Sequence, residues 1–302
     1  MAQESDLEEA DRILRVAFGT LFGLDDPSTA YGDQDMIMNR WRSGTSSILV
    51  AESDSKIVGT AAVTRWGSVG FVGRMAVEPS YQGKKISSLL MKEAVGLLDS
   101  WGVSLAGLDT FADSPKHIHL YQNFGFWPRF LNLMISKPIA EYVSTSPLLL
   151  SSLSDYDRES VIAACRALTE SIYPGLDLTL EIMAVKELSL GDTVLVTEGL
   201  DLLGFAVCHA GPGTEAGGDK CFVKFGAAST AEALDRLMAN CTSYASNKGL
   251  KSLETNVNAG RTRAWEKLLA SGFHMNFATV TMSRPAFRGY DNGDVFVVDR
   301  WS

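Results

Sequence analysis

The chain has 302 residues, 46% of them hydrophobic, and a formal net charge of -9. That length sits where one core usually gives way to two domains, and the acidic balance argues against nucleic acid as a partner while mildly favouring cationic ones. An acidic start without an apolar h-region, and no apolar run approaching about 20 residues, predict neither a secretory leader nor a membrane span and hence a cytoplasmic location.

Apolar periodicity along the first half predicts an α/β alternation. After a helical opening, residues 47–51 and 57–66 read as strands around a turn at Asp54 and Ser55. Residues 71–77 read as a third strand, which Pro79 and Ser80 interrupt. Ile86, Leu89, Leu90, Ala94, Leu97 and Leu98 then keep helical spacing. Between that strand and that helix lies Gln82-Gly83-Lys84-Lys85-Ile86-Ser87. Unpaired amides and the positive end of the helix dipole favour an anion there, and Lys84 and Lys85 add charge, so a diphosphate is the natural guest. The bland alternative is two solvated lysines at a turn. A short strand at 105–109, a helix at 115–123 opened by Pro115 and capped by Asp113 or Ser114, and a strand at 130–136 follow. Periodicity fades over 137–147, the expected linker.

The second half repeats the plan at a period of about 150 residues. Residues 148–153 are strand-like, and Ser154 with Asp157 opens a helix. Strands are expected at 194–198, 202–209 and 221–226. A long helix to about Lys248 follows, with Ser229 and Glu232 as its capping box. Residues 253–256 read as a strand. The four cysteines, Cys165, Cys208, Cys221 and Cys241, have neither CxxC nor metal-ligand spacing and read as buried thiols, and the histidines make no metal set. Residues 294–301 alternate as a strand expected to cross back onto the first half's sheet.

Two motifs carry a resemblance. Gln82-Gly83-Lys84-Lys85-Ile86-Ser87 resembles the pyrophosphate loop Gln/Arg-x-x-Gly-x-Gly/Ala of the GNAT N-acetyltransferase superfamily, departing from it at Lys85 and Ser87, where glycine would let backbone approach a ligand. Tyr121-Gln-Asn-Phe-Gly125-Phe126 resembles the family's Tyr-x-x-x-Gly-Phe. Residues 267–273 offer a second copy of that ending, with Leu268 in place of Tyr121. The resemblance implies two GNAT-like α/β domains, each a mixed twisted sheet flanked by helices: 1–138, which binds acetyl-CoA and is catalytic, and 148–302, a degenerate copy with a C-terminal strand.

The resemblance further implies a coenzyme site built from Met75, Ala76 and Val77 of the strand and from Gln82, Gly83, Lys84, Lys85, Ile86 and Ser87. A main-chain amide at Met75 or Val77 polarises the thioester carbonyl, and Tyr121 protonates the leaving thiolate; a core aromatic is the alternative for Tyr121. Asp109, Asp113, His117 and His119 are the candidate bases. His117 and His119 stand two apart, so at most one is expected to face the site. The mechanism expected is direct attack by a primary amine on acetyl-CoA, and the absence of cysteine from the first half removes the simplest acyl-cysteine route there. A small amine suited to an acidic cleft is favoured over a protein acceptor, and an oligomer is compatible with everything above. The alternative is a non-catalytic acyl-CoA-binding, regulatory or interaction protein, since fold does not dictate activity.

Overall fold

The structure, a computed structural model, describes residues 1–139 and 146–301. The first half contains α1 (Leu7–Phe22), α2 (Met38–Arg42), β1 (Ser46–Ser53), β2 (Lys56–Trp66), β3 (Val69–Val77), α3 (Ile86–Ser100), β4 (Leu105–Thr110), α4 (Pro115–Gln122) and β5 (Trp127–Pro138). The second contains β6 (Leu148–Leu149), α5 (Asp155–Ile172), α6 (Thr179–Glu187), β7 (Gly191–Glu198), β8 (Asp201–Ala210), β9 (Lys220–Ala228), α7 (Ala231–Asn247), β10 (Ser252–Asn258), α8 (Thr262–Ala270), β11 (His274–Arg284) and β12 (Phe296–Asp299). Most of the expected strands are present and longer by one to three residues, but of residues 148–153 only Leu148–Leu149 is strand, a 3-10 turn following at Leu150–Ser152, and the last strand is confined to Phe296–Asp299. Helices α2, α6 and α8 and strand β11 have no counterpart in the periodicity. Of the expected linker, residues 140–145 lie outside the described residues, and Lys137 and Pro138 belong to β5.

Each half has a mixed sheet flanked by helices, and the two are fused edge to edge. Among the described residues the strands run β1-β2-β3-β4-β11-β5-β10-β9-β8-β7-β6, with β12 beside β9. Strand β11, from the second half, lies between β4 and β5, and β5 from the first lies between β11 and β10. Each half thus lends its last long strand to the other. Alternation of side chains sorts the helices. Ala62 and Ala76 bury against Leu7, Ala10, Ile13 and Leu14 of α1 on one face, whereas Ala61, Val63 and Val72 bury against Leu90, Met91, Ala94 and Leu98 of α3 on the other.

The parallel pair β3/β4 is hydrogen-bonded only from Val69↔Leu105 to Phe71↔Gly107. Beyond it β3 stays on β2 as far as Val77, with a bulge opposite Ala61, and β4 diverges to meet β11. The sheet is therefore split from residue 72 of β3 onward. The second half makes the same parallel start, from Lys220↔Ser252 to Phe222↔Glu254. Its split is filled: β12 pairs antiparallel with residues 225–228 of β9, the positions that correspond to 74–77 of β3. The tail therefore pairs with the second half's own sheet rather than the first's, as its alternation had suggested. Trp301, just past β12, reaches across. Its ring stacks 6.5 Å from Phe71 and lies where a Cβ on Gly107 would be 2.1 Å away.

The loop entering α7 is also shorter than expected. Ala227 and Ala228 are inside β9, Thr230 rather than Ser229 is the cap, and its hydroxyl accepts from the Ala233 amide at 3.1 Å. Two residues separate β9 from α7, against eight between β3 and α3. All four cysteines are free and buried.

Candidate active site

The open split of the first half leads into a cavity of about 970 Å³. Its walls take in Met75, Ala76, Val77, Gln82, Gly83, Lys85, Ile86 and Ser87, together with Asp109, His117, His119 and Tyr121. The motif residues separated by some 50 positions in the chain thus face one space. Lys84 is the exception: its ammonium lies over the Tyr81 ring, 4.1 Å from the centroid, and it does not line the cavity. Asp113 does not line it either, and Ser114, not Asp113, stands at the N-cap of α4. Both His117 and His119 line the cavity, because it runs along α4 rather than facing one stripe of it.

The turn before α3 is built to leave its amides free. Gly83 has φ +80° and Lys85 has φ +63°, so Lys85 occupies, at a cost, the left-handed conformation that a glycine would adopt freely. No side chain caps α3. None of the amides of Gly83, Lys84, Lys85, Ile86 and Ser87 finds an acceptor among the described residues. This is a positive helix terminus presented to a cavity.

Tyr121 and Asp109 stand on opposite sides of the split. Tyr121 packs with Ile118 and Phe124 onto the α3 face. Burial pushes its hydroxyl up to about 12, with the Thr110 side chain as a hydrogen-bonding neighbour that acts the other way, so it holds its proton at any ordinary pH. On β4, Ala106 and Leu108 belong to the α3 face, so Asp109 points to the α1 face. Its oxygens accept from Asn132 Nδ2 at 2.6 Å and Thr281 Oγ1 at 2.8 Å. Burial nevertheless raises the carboxyl to about 6. Burial and the neighbouring Lys116 lower His117, which lies 3.0 Å from Ser114 Oγ through Nδ1.

The α1 side of the cavity holds residues that no motif points to. Phe22, Tyr31, Phe111 and Phe277 form an edge-to-face series, with centroids 6.4 Å (Phe22–Tyr31), 6.3 Å (Phe22–Phe111) and 5.9 Å (Phe111–Phe277) apart. Arg74 sits in the β3 bulge at φ +52°, with its guanidinium 5.5 Å from the centre of the Tyr31 ring. Arg300, just past β12, lines the same cavity. The signal for Arg74 was available as a lone charge inside the apolar strand Val69–Val77; Arg300 and the aromatics come together only in three dimensions. Among the described residues no group of three or more His, Cys, Asp or Glu could hold a metal, and no helix is long and apolar enough to cross a membrane.

A mixed sheet split between two parallel strands, with an uncapped helix N-terminus at the mouth, is a GNAT-like fold. Residues 12–126 match the family model described as Acetyltransferase (GNAT) family. Similar solved structures span nearly its whole length. A putative acetyltransferase from Pyrococcus horikoshii matches with a TM-score of 0.69 at 12% identity, over 99% of this chain and 93% of that one. A GCN5-related N-acetyltransferase from Sphaerobacter thermophilus matches with a TM-score of 0.59 at 15% identity, over 97% and 96%. At these identities the likeness is one of fold. No curated protein matches the sequence.

Proposed function

We propose that the first half binds acetyl-CoA in the β3/β4 split and transfers the acetyl group to a primary amine. The family and fold support acetyl transfer in general. The observation that carries the finer reading is the split itself: it is open in the first half, ends at five free amides on the α3 terminus, and is closed by β12 in the second half. The diphosphate would meet those amides and Lys85, and the pantetheine arm would lie along the free edge of β3. An amide at Met75 or Val77 would polarise the thioester carbonyl.

The amine would enter from the α1 face and the thioester from the α3 face, so that they meet within the split. The amine nitrogen forms a bond to the carbonyl carbon, the carbon–sulfur bond breaks, and the thiolate takes the proton of Tyr121. Asp109, on the amine's side and ionised above about pH 6, takes the proton the nitrogen releases. Binding at a single site per chain follows, with the second half as a structural partner.

Calorimetric titration of the whole chain with acetyl-CoA, paired with acetyl-transfer kinetics of Tyr121→Phe, tests this reading. One coenzyme should bind per chain. The variant should keep coenzyme affinity and lose about 100-fold or more in kcat. Unchanged turnover in the variant removes Tyr121 from the chemistry, and binding without turnover of any amine identifies a binding module instead.

A further inference from the structure

The net charge of the chain suggests an acidic cleft for a cationic amine, and the cavity is the reverse. Arg74, Lys85, Lys116 and Arg300 line it, against Asp109 as the one carboxylate among the described lining residues. Lys85 belongs to the turn at the α3 terminus and Lys116 to α4, on the coenzyme side. Arg74 belongs to neither. Strand β3 carries Ala76 to the α1 face and Met75 and Val77 to the α3 face, and the guanidinium of Arg74 over Tyr31 places it with Ala76, across the sheet from the diphosphate site.

Arg74 is 6% exposed, and its Nε and Nη2 are buried without a hydrogen-bond partner among the described residues. The nearest charges add to the problem. Besides burial, Arg300 and Arg40 press on it, and the nearby carboxylate, Glu215, is already held by Arg40 at 2.5 Å and Lys224 at 2.9 Å. A buried guanidinium with open donors and like-charged neighbours is costly unless an anion joins it. Its planar fork matches a carboxylate.

We propose that the acceptor is a small primary amine that also bears a carboxylate, bound by Arg74 with Arg300 beside it, and an apolar substituent seated among Phe22, Tyr31, Phe111 and Phe277. An amino acid with an apolar side chain has this chemistry. Distance agrees: Arg74 stands one and three residues from Met75 and Val77, roughly 3–10 Å of strand, so amine and carboxylate fit in one small molecule. The amine's fate rests on the acetyl-transfer reading above; the carboxylate site does not.

The test is calorimetric titration of the full chain, with CoA present, using phenylalanine, leucine and 4-aminobutyrate, their primary amides, and 1,4-diaminobutane. At least one acid should bind, its amide should bind roughly tenfold more weakly or worse, and the diamine should not bind. In Arg74→Met the preference for acid over amide should vanish while CoA affinity stays unchanged. Equal binding of acid and amide in the parent chain overturns the proposal without any variant, as does the absence of binding by every acid or a preference that survives in Arg74→Met. Failure of CoA itself to bind, with the acid preference intact, sinks the acetyl-transfer reading and leaves the carboxylate site standing.

Discussion

Single residues in this protein are held in states that other residues would occupy at lower cost. Lys85 adopts φ +63° with no side-chain cap on the helix it opens. Lys85→Gly should raise stability by about 0.5–1 kcal/mol by removing left-handed strain, readable as a higher denaturant midpoint at unchanged slope. Asp109 is the titratable counterpart. Its folded pKa, about 6, lies above the value of an exposed aspartate, so the stability tied to its neutral form is complete below about pH 4 and is lost as pH rises through 6. Asp109→Asn should therefore melt higher than the parent at pH 8 and at the same temperature near pH 3.5; parallel melting curves at both pH values would refute the burial argument. If Asp109 is the base, kcat/KM of the parent should also fall below about pH 6. The positions of Tyr121, Asp109 and the 82–87 turn were legible because a strand, a turn and a helix in sequence place them locally. Arg74 was visible only as an oddity, since nothing in an apolar strand states which face a bulged residue takes.

At the scale of elements, the two halves differ in what fills one gap. Strand β12 lies on residues 225–228 of β9, and the two-residue approach to α7 ends in a capping threonine. Periodicity identified several of the second half's elements, but not α6, α8 or β11, nor the partner of the last strand, because alternation specifies a strand and leaves its neighbour open. The tail is held by more than its backbone ladder. Arg261, 1% exposed, donates through Nη1 to Asp299 at 2.7 Å and through Nε to Asp291 at 2.9 Å. Trp301 Nε1 donates to Asp299 at 3.0 Å and to the Tyr290 hydroxyl at 3.1 Å. Trp301→Ala should cost about 3–5 kcal/mol, because its ring fills the space over Gly107 and against Phe71. Gly107→Ala should also be destabilising, by overpacking rather than by a void. A melting temperature unchanged in Trp301→Ala would show the tail to be dispensable.

At the scale of the molecule, the exchanged strands make the halves one folding unit. A buried chain of charges reinforces this: Arg40 meets Glu215 at 2.5 Å, Lys224 meets Glu215 at 2.9 Å and Glu181 at 3.0 Å, and Trp66 donates to Glu181 at 2.9 Å. Residues 1–139 expressed alone should be insoluble, because β4 loses β11 and β5 loses both β11 and β10, leaving open edges; co-expression with the remaining chain should restore soluble protein. A soluble, folded fragment 1–139 would contradict the shared sheet. The alternation of strands and helices was readable in both halves, whereas the exchange was not, since a strand traded between them leaves the order of elements along the chain unaltered. The same exchange governs how the protein emerges from the ribosome. Strand β4 has β3 on one side but does not gain its second neighbour until β11 has been made, more than half the chain later, which at about 5–20 residues per second is roughly 10–30 s of synthesis. Through that interval the nascent first half lacks the native neighbour of that edge, so chains halted before β11 should aggregate where chains halted after it stay soluble.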